Sequence, residues 1–132
     1  MSVRLYAEAF DPFAELRSYQ DGLGARARSI GALATFIGTM RDFNDGEPVA
    51  AMVLEHYPGM TQAALQKFAD QATEKFGLEK ALVIHRHGRL QPGEAIMMVA
   101  TAASHRKDAF AGADYLMDYL KSRAPFWKKE IT

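Results

Sequence analysis

The chain has 132 residues, which is the length of one domain, and we place that domain at residues 1–132. Its hydrophobic residues make up 48% and its charged residues 24%, which is typical of a globular protein rather than a disordered one. The formal net charge of +0 excludes a global attraction to nucleic acid or to an anionic membrane, so any anion site must be local. The absence of cysteine excludes disulfides, cysteine-ligated metals and a thiol nucleophile on this chain.

The N-terminal stretch MSVRLYAEAFDPF has no apolar segment of the kind that a signal peptide contains. The longest apolar run, AIMMVATAA, has nine residues, whereas a bilayer-spanning helix needs roughly 20. We therefore expect a cytoplasmic protein.

Five apolar stretches bounded by turn residues are typical of β-strands. In chain order they are VRLYAEA, ALATFIGTM, VAAMVLEHY, KALVIHRHG and AIMMVATAA. The second and third flank RDFNDGEP, which is rich in residues that break regular structure, and so predict an antiparallel hairpin. The segment DGLGARARSIG reads as a loop. Because AIMMVATAA is apolar throughout, we expect it at the centre of a sheet.

Three segments have the apolar spacing of amphipathic helices. They are predicted from Pro12, from about Thr61 to Phe76, and from near Ser104 to near Ala124. Asp11 is a suitable N-cap for the first, Gly77 closes the second, and Pro125 ends the third because proline disfavours helix in the residue before it. The order β-α-β-β-α-β-β-α predicts an α+β fold with a largely antiparallel sheet.

The segment SHRKD begins the third predicted helix and has the features of an anion site. Free backbone N–H groups and the helix dipole favour a negative charge there, and His105 and Arg106 add side-chain donors. The alternative interpretation is a capped helix whose charged residues are solvated.

The segment LKSRAPFWKKE concentrates four cations and one anion around Pro125 and two large aromatic residues. If the rings of Phe126 and Trp127 pack against the protein, they fix the chain after the helix and direct Lys128 to a defined place near Lys121. Adjacent cations favour the neutral, nucleophilic form of a lysine. The alternative is a solvated cationic tail.

Two further features are weaker indications. Arg41 follows ALATFIGTM where a strand enters a loop, a common place for functional side chains. The segment HRHG places His85 and His87 on one face of a strand, a spacing that occurs in metal sites, but the sequence offers no carboxylate or cysteine to complete such a site and we expect no metal.

Five segments together resemble the family of the large, catalytic subunit of molybdopterin synthase (MoaE-type). They are GALATFIGTMRDFNDG, LEHYPGM, VIHRHGRLQPGE, SHRKDAF and MDYLKSRAPFWKKE, and they span about Gly31 to Glu130. The resemblance implies an α/β hammerhead fold with an antiparallel β subdomain. It implies that the protein inserts two sulfurs into cyclic pyranopterin monophosphate, forming the dithiolene of molybdopterin. The sulfur would arrive as a thiocarboxylate on the C-terminal glycine of a small ubiquitin-like subunit.

Carried over position by position, the resemblance implies two catalytic lysines, Lys121 and Lys128. Seven residues would bind the substrate: Thr39, Met40, Arg41, His105, Arg106, Lys129 and Glu130. No cofactor would be bound permanently, because the pterin phosphate is the substrate. The family also implies a homodimer carrying one small subunit at each end, a heterotetramer whose pockets combine residues of both copies.

Two rival functions stay open from the residues themselves. One is a non-catalytic module that binds an anion or a nucleotide at the start of the third helix. The other is a scaffold for a ubiquitin-like partner, without catalysis.

Overall fold

The computed structural model describes residues 2–44 and 46–131, without the side chain of Asn44. Its α-helices are α1 (Pro12–Asp21), α2 (Pro58–Phe76) and α3 (Arg106–Ser122), and a 3-10 helix covers Gly24–Ser29. Its strands are β1 (Val3–Tyr6), β2 (Ala32–Thr39), β3 (Phe43–Asn44), β4 (Glu47–Pro48), β5 (Ala51–His56), β6 (Lys80–Arg86), β7 (Gly88–Leu90), β8 (Ala95–Ala103) and β9 (Phe126–Ile131). Asp45, which belongs to the predicted loop, and Thr132 lie outside the described residues.

A four-stranded sheet with the order β1-β6-β8-β2 carries the helices. The strand β1 runs parallel to β6, and the other two pairs are antiparallel. Every residue of β8 from Met97 to Ala103 is buried, which confirms its predicted central place. Helices α2 and α3 cover one face of the sheet, and α1 covers the other together with Leu23 and Ile30, which flank the 3-10 helix.

Small residues let α3 lie close to its neighbours. Ala109 and Ala113 face the core, and a Cβ added to Gly112 would lie 2.9 Å from Cδ1 of Leu78. Leu116, on the same face, is 1% exposed. Close packing on this face fixes the direction of α3. Two residues separate α3 from the end of β8, and the helix then runs back along β8. The chain therefore returns to the end of the sheet where β8 begins.

A second, three-stranded sheet has the order β7-β5-β9 and is antiparallel throughout. It packs through a small core of its own, made of Met40, Val49, Met52, Leu54 and Leu90, with Ile96 from β8. This sheet is the antiparallel β subdomain that the family resemblance implies. The predicted α+β fold class is confirmed, and the eight predicted elements occur in the predicted order.

The predicted hairpin between ALATFIGTM and VAAMVLEHY is wrong. The strand β2 pairs along its whole length with β8, from Ala32 opposite Ala103 to Thr39 opposite Ala95, whereas β5 pairs with β7 and β9. The chain between β2 and β5 instead forms its own short hairpin, β3 with β4. The strand β2 has a long apolar partner in β8, and β5 is paired on both edges by β7 and β9, so these partners decide the pairing more strongly than closeness in sequence.

Other local differences follow from capping and from packing. Helix α2 begins at Pro58, because proline suits the first position of a helix. Helix α3, predicted to start near Ser104, begins at Arg106 with His105 at the N-cap, and Ser104 donates its hydroxyl to the carbonyl of Ser29. The stretch expected to be a loop contains the 3-10 helix, and the expected cap and turn at Asp11 and Gly77 are confirmed.

Within residues 2–44 and 46–131, no helix combines the length and the apolar character that crossing a bilayer requires.

The packing of α3 generates a stability prediction. We expect Leu116→Ala to lower the free energy of unfolding by about 2–5 kcal/mol, because it removes apolar contacts and leaves a cavity. Urea denaturation followed by circular dichroism measures this. The control Lys67→Ala, at an exposed position of α2, should change stability by less than about 0.5 kcal/mol. Equal stabilities of the two variants would contradict this packing.

Candidate functional site

A cavity of about 150 Å³ lies where the two sheets meet. Its lining comes from separate parts of the chain: Thr39, Met40, Arg41, Phe43, Val49, Met52, Ile96, Lys128 and Glu130. Five of these residues are among the nine that the family resemblance implied, namely Thr39, Met40, Arg41, Lys128 and Glu130. The cavity therefore combines cationic side chains with an apolar floor.

The end of β2 is shaped so that Arg41 reaches the mouth of the cavity. The pairing of β2 with β8 shifts its register between Gly38 and Thr39, and such irregularities redirect the side chains that follow. Met40 is then held by two backbone hydrogen bonds, its N–H to the carbonyl of Glu94 at 2.9 Å and its carbonyl from the N–H of Gly93 at 2.8 Å. Met40 is buried, and Arg41, the next residue, is exposed.

The opposite wall is β9, and contacts on both of its faces hold it in place. On one face the ring of Phe126 stacks on His85 with 3.8 Å between centroids. On the other face Trp127 donates its Nε1–H to Glu55 at 2.8 Å and packs 5.0 Å from the ring of Tyr57. The aromatic residues thus fix the chain after α3, and the segment is a strand rather than a solvated tail.

The register of β9 decides which side chains face the cavity. Lys128 pairs with Leu54 and Glu130 with Met52, so these two charged residues lie on the same face as the small core. The Nζ of Lys128 is 3.4 Å from Oε1 of Glu130, and the lysine side chain is 54% exposed. An ion pair this exposed contributes at most about 1 kcal/mol. Glu130 can therefore orient Lys128 while two of its ammonium hydrogens stay available to a ligand.

The structure does not bring all the predicted residues into this cavity. Lys129 pairs with Val53 and points to the other face of β9, so it does not line this cavity beside Glu130. Lys121 lies exposed in the last turn of α3, at the end of the molecule where β9 begins, and is outside the cavity lining.

His105 and Arg106 lie at the opposite end of the main sheet. They follow β8, whose nine residues begin beside the cavity at Ala95 and Ile96. At ~3.4 Å between neighbouring residues, the first and last residues of β8 lie roughly 27 Å apart. Both side chains are exposed at the start of α3. Within one chain, these two residues therefore lie far from Arg41 and Lys128.

The histidines of HRHG have a different environment from the one that a metal site requires. His87 follows β6 rather than lying in it, and the Nδ1 of His85 contacts the carbonyl oxygen of Arg86 at 2.8 Å. Burial lowers the pKa of His85 to about 4. Across residues 2–44 and 46–131, no three His, Asp or Glu side chains gather in a way that could hold a metal ion.

Four of the residues that line the cavity were not identified from the sequence: Phe43, Val49, Met52 and Ile96. The alternation in VAAMVLEHY does place Met52 and Leu54 on one face of a strand. Nothing in the sequence shows that this face meets Lys128, because that contact depends on the pairing of β5 with β9.

The sequence of this chain matches one family of known proteins over most of its length. The family model described as "MoaE protein" matches residues 9–123. A protein of Cereibacter sphaeroides named "Molybdopterin synthase catalytic subunit" is 54% identical over 132 residues, covering 100% of this chain and 86% of its own length.

Two solved structures extend the comparison to the fold. A MoaE protein from Burkholderia ambifaria is 51% identical, covers 99% of this chain and 83% of its own, and superposes with a TM-score of 0.83. A complex of subunits 1 and 2 of molybdopterin-converting factor from Helicobacter pylori is 21% identical, covers 98% of this chain and 84% of its own, and has a TM-score of 0.82, which shows a shared fold. Since the family model covers most of its length, the chain belongs to the MoaE protein family.

Proposed function

We propose that this chain is the catalytic subunit of a sulfur transferase that converts cyclic pyranopterin monophosphate to molybdopterin in molybdenum cofactor biosynthesis. The observation that carries the proposal is the cavity between the two sheets, which gathers Arg41, Lys128 and Glu130 from two distant parts of the chain. The names of the relatives support the same reaction.

The composition of the cavity suits a pterin that carries a phosphate. Arg41 presents a planar set of donors, which match the oxygens of a phosphate, and Lys128 adds a second cation. Met52 and Ile96 supply an apolar surface against which a flat ring system can lie. Thr39 and Met40 shape the edge beside Arg41.

The sulfur must come from another molecule, since the chain has no cysteine. A thiocarboxylate at the end of a small ubiquitin-like partner supplies it in this proposal, and a cationic cavity favours such an anionic group. The Helicobacter pylori structure, described as a complex of two subunits, supports a partner of this kind. The sulfur would bond to a carbon of the pterin, and water would then attack the carbonyl carbon and release the partner as a carboxylate. Lys121 and Lys128 would stabilise the negative charge that develops as this carbon–sulfur bond breaks.

One chain supplies only part of this site. The cavity of about 150 Å³ is smaller than the roughly 300–1,000 Å³ of ligand pockets. His105 and Arg106, the other anion-binding residues, lie at the far end of β8. A homodimer resolves both points if it places the start of α3 from one copy beside the cavity of the other.

The shape of the chain favours such a dimer. Strand β2 lies at an edge of the main sheet as described, next to α3. Phe36 and Phe110 on these two elements are 46% and 65% exposed. If two copies met around a two-fold axis near the middle of β2 and α3, the second copy would cover both rings. The start of each element in one copy would then lie beside its end in the other. Arg106 of one copy would then approach Lys121 and Arg41 of the other.

The role of the lysines can be tested by substitution. We expect Lys128→Ala and Lys121→Ala each to lower kcat by about 100-fold or more, because each removes a group that acts in the transition state. Single-turnover formation of molybdopterin with a thiocarboxylated partner measures this. Lys129→Ala should have a much smaller effect because its side chain faces away from the cavity, and Lys67→Ala serves as the exposed control.

The same assay separates the rival functions. A non-catalytic anion-binding module would bind the pterin phosphate without forming product, and a scaffold would bind the partner alone. Normal turnover by folded Lys121→Ala and Lys128→Ala proteins would disprove the catalytic assignment.

The shared site can be tested by mixing two inactive variants. Lys121→Ala and Arg106→Ala damage opposite ends of the chain, so a mixed dimer would contain one intact site and one doubly damaged site. After random subunit exchange, about a quarter of all sites should be intact, and activity should return to that level.

The matched control is a mixture of Lys121→Ala with Lys128→Ala. Both changes lie at the same end of the chain, so every site of a mixed dimer lacks one lysine and no activity should return. Recovery in the control, or none in the test mixture once exchange has been shown by mass spectrometry, would refute the shared site.

A further inference from the structure

Three histidines lie together beside the start of β9, where the main sheet and the small sheet meet. His85 is the second-last residue of β6 in the main sheet, His56 ends β5 of the small sheet, and His87 follows β6. The rings of His56 and His87 lie 4.3 Å apart. These residues belong to the segments LEHYPGM and VIHRHGRLQPGE, which the proposed reaction does not use.

The ring of Phe126 connects two of these histidines. It stacks on His85 at 3.8 Å between centroids with an interplanar angle of 16°, and on His56 at 5.7 Å and 27°. His56 and Phe126 are also opposite each other in the pairing of β5 with β9. Phe126, the first residue of β9, therefore contacts both sheets.

We propose that His56 and His85 are positioning residues for Lys128: they clamp Phe126 at the start of β9, and the clamp closes only while both imidazoles are neutral. Lys128 is two residues beyond Phe126 and lies on the same face of the strand. A displacement of the Phe126 ring therefore moves the ammonium group that lines the cavity.

The surroundings of the cluster favour neutral imidazoles. His85 is 6% exposed, and the Nδ1 of His56 is buried without a hydrogen-bond partner among the described residues. Burial lowers the pKa of His85 to about 4 and also lowers the pKa of His56, and the neighbouring histidines add to both effects. A proton on His85 would create a buried cation next to other imidazoles, and a proton on the partly buried His56 would lie 4.3 Å from the ring of His87.

The charged groups of the neighbouring elements do not compensate such a proton. On β5, Glu55 points to the other face of the small sheet, where it accepts the N–H of Trp127. On β6, Arg86 alternates to the opposite face and donates to the carbonyls of Ala7 and Arg89. On β9, the nearest charge on the same face is the cation of Lys128.

The remaining elements around the cluster contribute mainly apolar or neutral groups. His85 is paired with Leu5 on β1 and with Met97 on β8, and both of these are apolar. From α2, the hydroxyl of Thr61 lies 3.5 Å from the carbonyl of Pro125.

The sign of the pH effect follows from these shifts. A histidine released from the clamp regains an ordinary pKa of about 6.5, whereas His85 in the clamp has a pKa of about 4. The released state therefore binds more protons between these two values, and the clamp weakens as the pH falls below about 6.5.

Trp127, the only tryptophan of the chain, reports directly on β9. We expect its emission and its quenching by acrylamide to change with a midpoint between pH 4 and pH 6.5, while the far-UV circular dichroism of the helices stays constant. The double variant His56→Phe/His85→Phe keeps the aromatic contacts without the titration, and should lose this transition. His105→Phe, which changes the distant fourth histidine, should retain it.

The inference is overturned if Trp127 changes only together with the helices, or if the transition persists unchanged in the double variant. Since fluorescence requires no turnover, this result is independent of the role proposed for Lys128.

The catalytic consequence rests on that role and has a separate readout. His85→Ala should lower kcat by about 10- to 100-fold with a smaller change in KM, because a displaced catalytic group lowers the rate of the chemical step. His85→Phe should restore most of the loss. If His85→Ala does not fold, His56→Ala provides the same comparison with His56→Phe. Wild-type kcat in a folded alanine variant would show that the clamp does not position Lys128.

Discussion

The pairing of β9 with β5 is the constraint on which the site depends. It converts a cationic segment after the last helix into a strand with a fixed register, in which Lys128 lies opposite Leu54 and Glu130 opposite Met52. Because side chains alternate along a strand, this register alone decides that Lys128 faces the cavity and Lys129 does not. The aromatic contacts of Phe126 and Trp127 secure the two faces of the strand, so the register is supported by side chains as well as by the backbone.

The same constraint explains how a neutral protein builds a cationic site. The chain carries no net charge, yet Arg41 and Lys128 meet over an apolar floor where the main sheet ends and the small sheet begins. The long buried strand β8 sets the distance between this cavity and the start of α3, and the rigid packing of α3 returns Lys121 to the cavity end. In the proposed dimer, His105 and Arg106, the remaining residues implied to bind the substrate, would lie beside the cavity of the other copy. The histidine clamp adds a link between the two sheets through which the position of β9 depends on pH.

The sequence predicted the helices and the main strands because their apolar residues have clear periods. Gly77 and Asp11 fixed two helix ends, and the apolar run of β8 indicated a central strand. The pairing of the strands was predicted wrongly, since no local feature of the sequence shows whether β2 pairs with β5 or with β8. The strand β9 was missed because both of its faces carry charged residues, which hides the period of two. Thr39, Met40, Arg41, Lys128 and Glu130 were placed in one pocket by the family resemblance, whereas spacing left a solvated tail as an alternative. Met52 and Ile96 could not be found, because their role arises from contacts between two sheets.

Amide hydrogen exchange of the isolated protein tests the central claim most directly. If Phe126–Ile131 forms a strand paired with β5, its hydrogen-bonded amides should exchange with protection factors comparable to those of Ala51–His56, and the two segments should open together. Mass spectrometry of peptides from both segments, at neutral pH and without ligand, gives this comparison. Exchange of the Phe126–Ile131 amides at the rate of an unstructured chain, with β5 still protected, would show that the segment is a tail and that the cavity wall does not exist before a ligand binds.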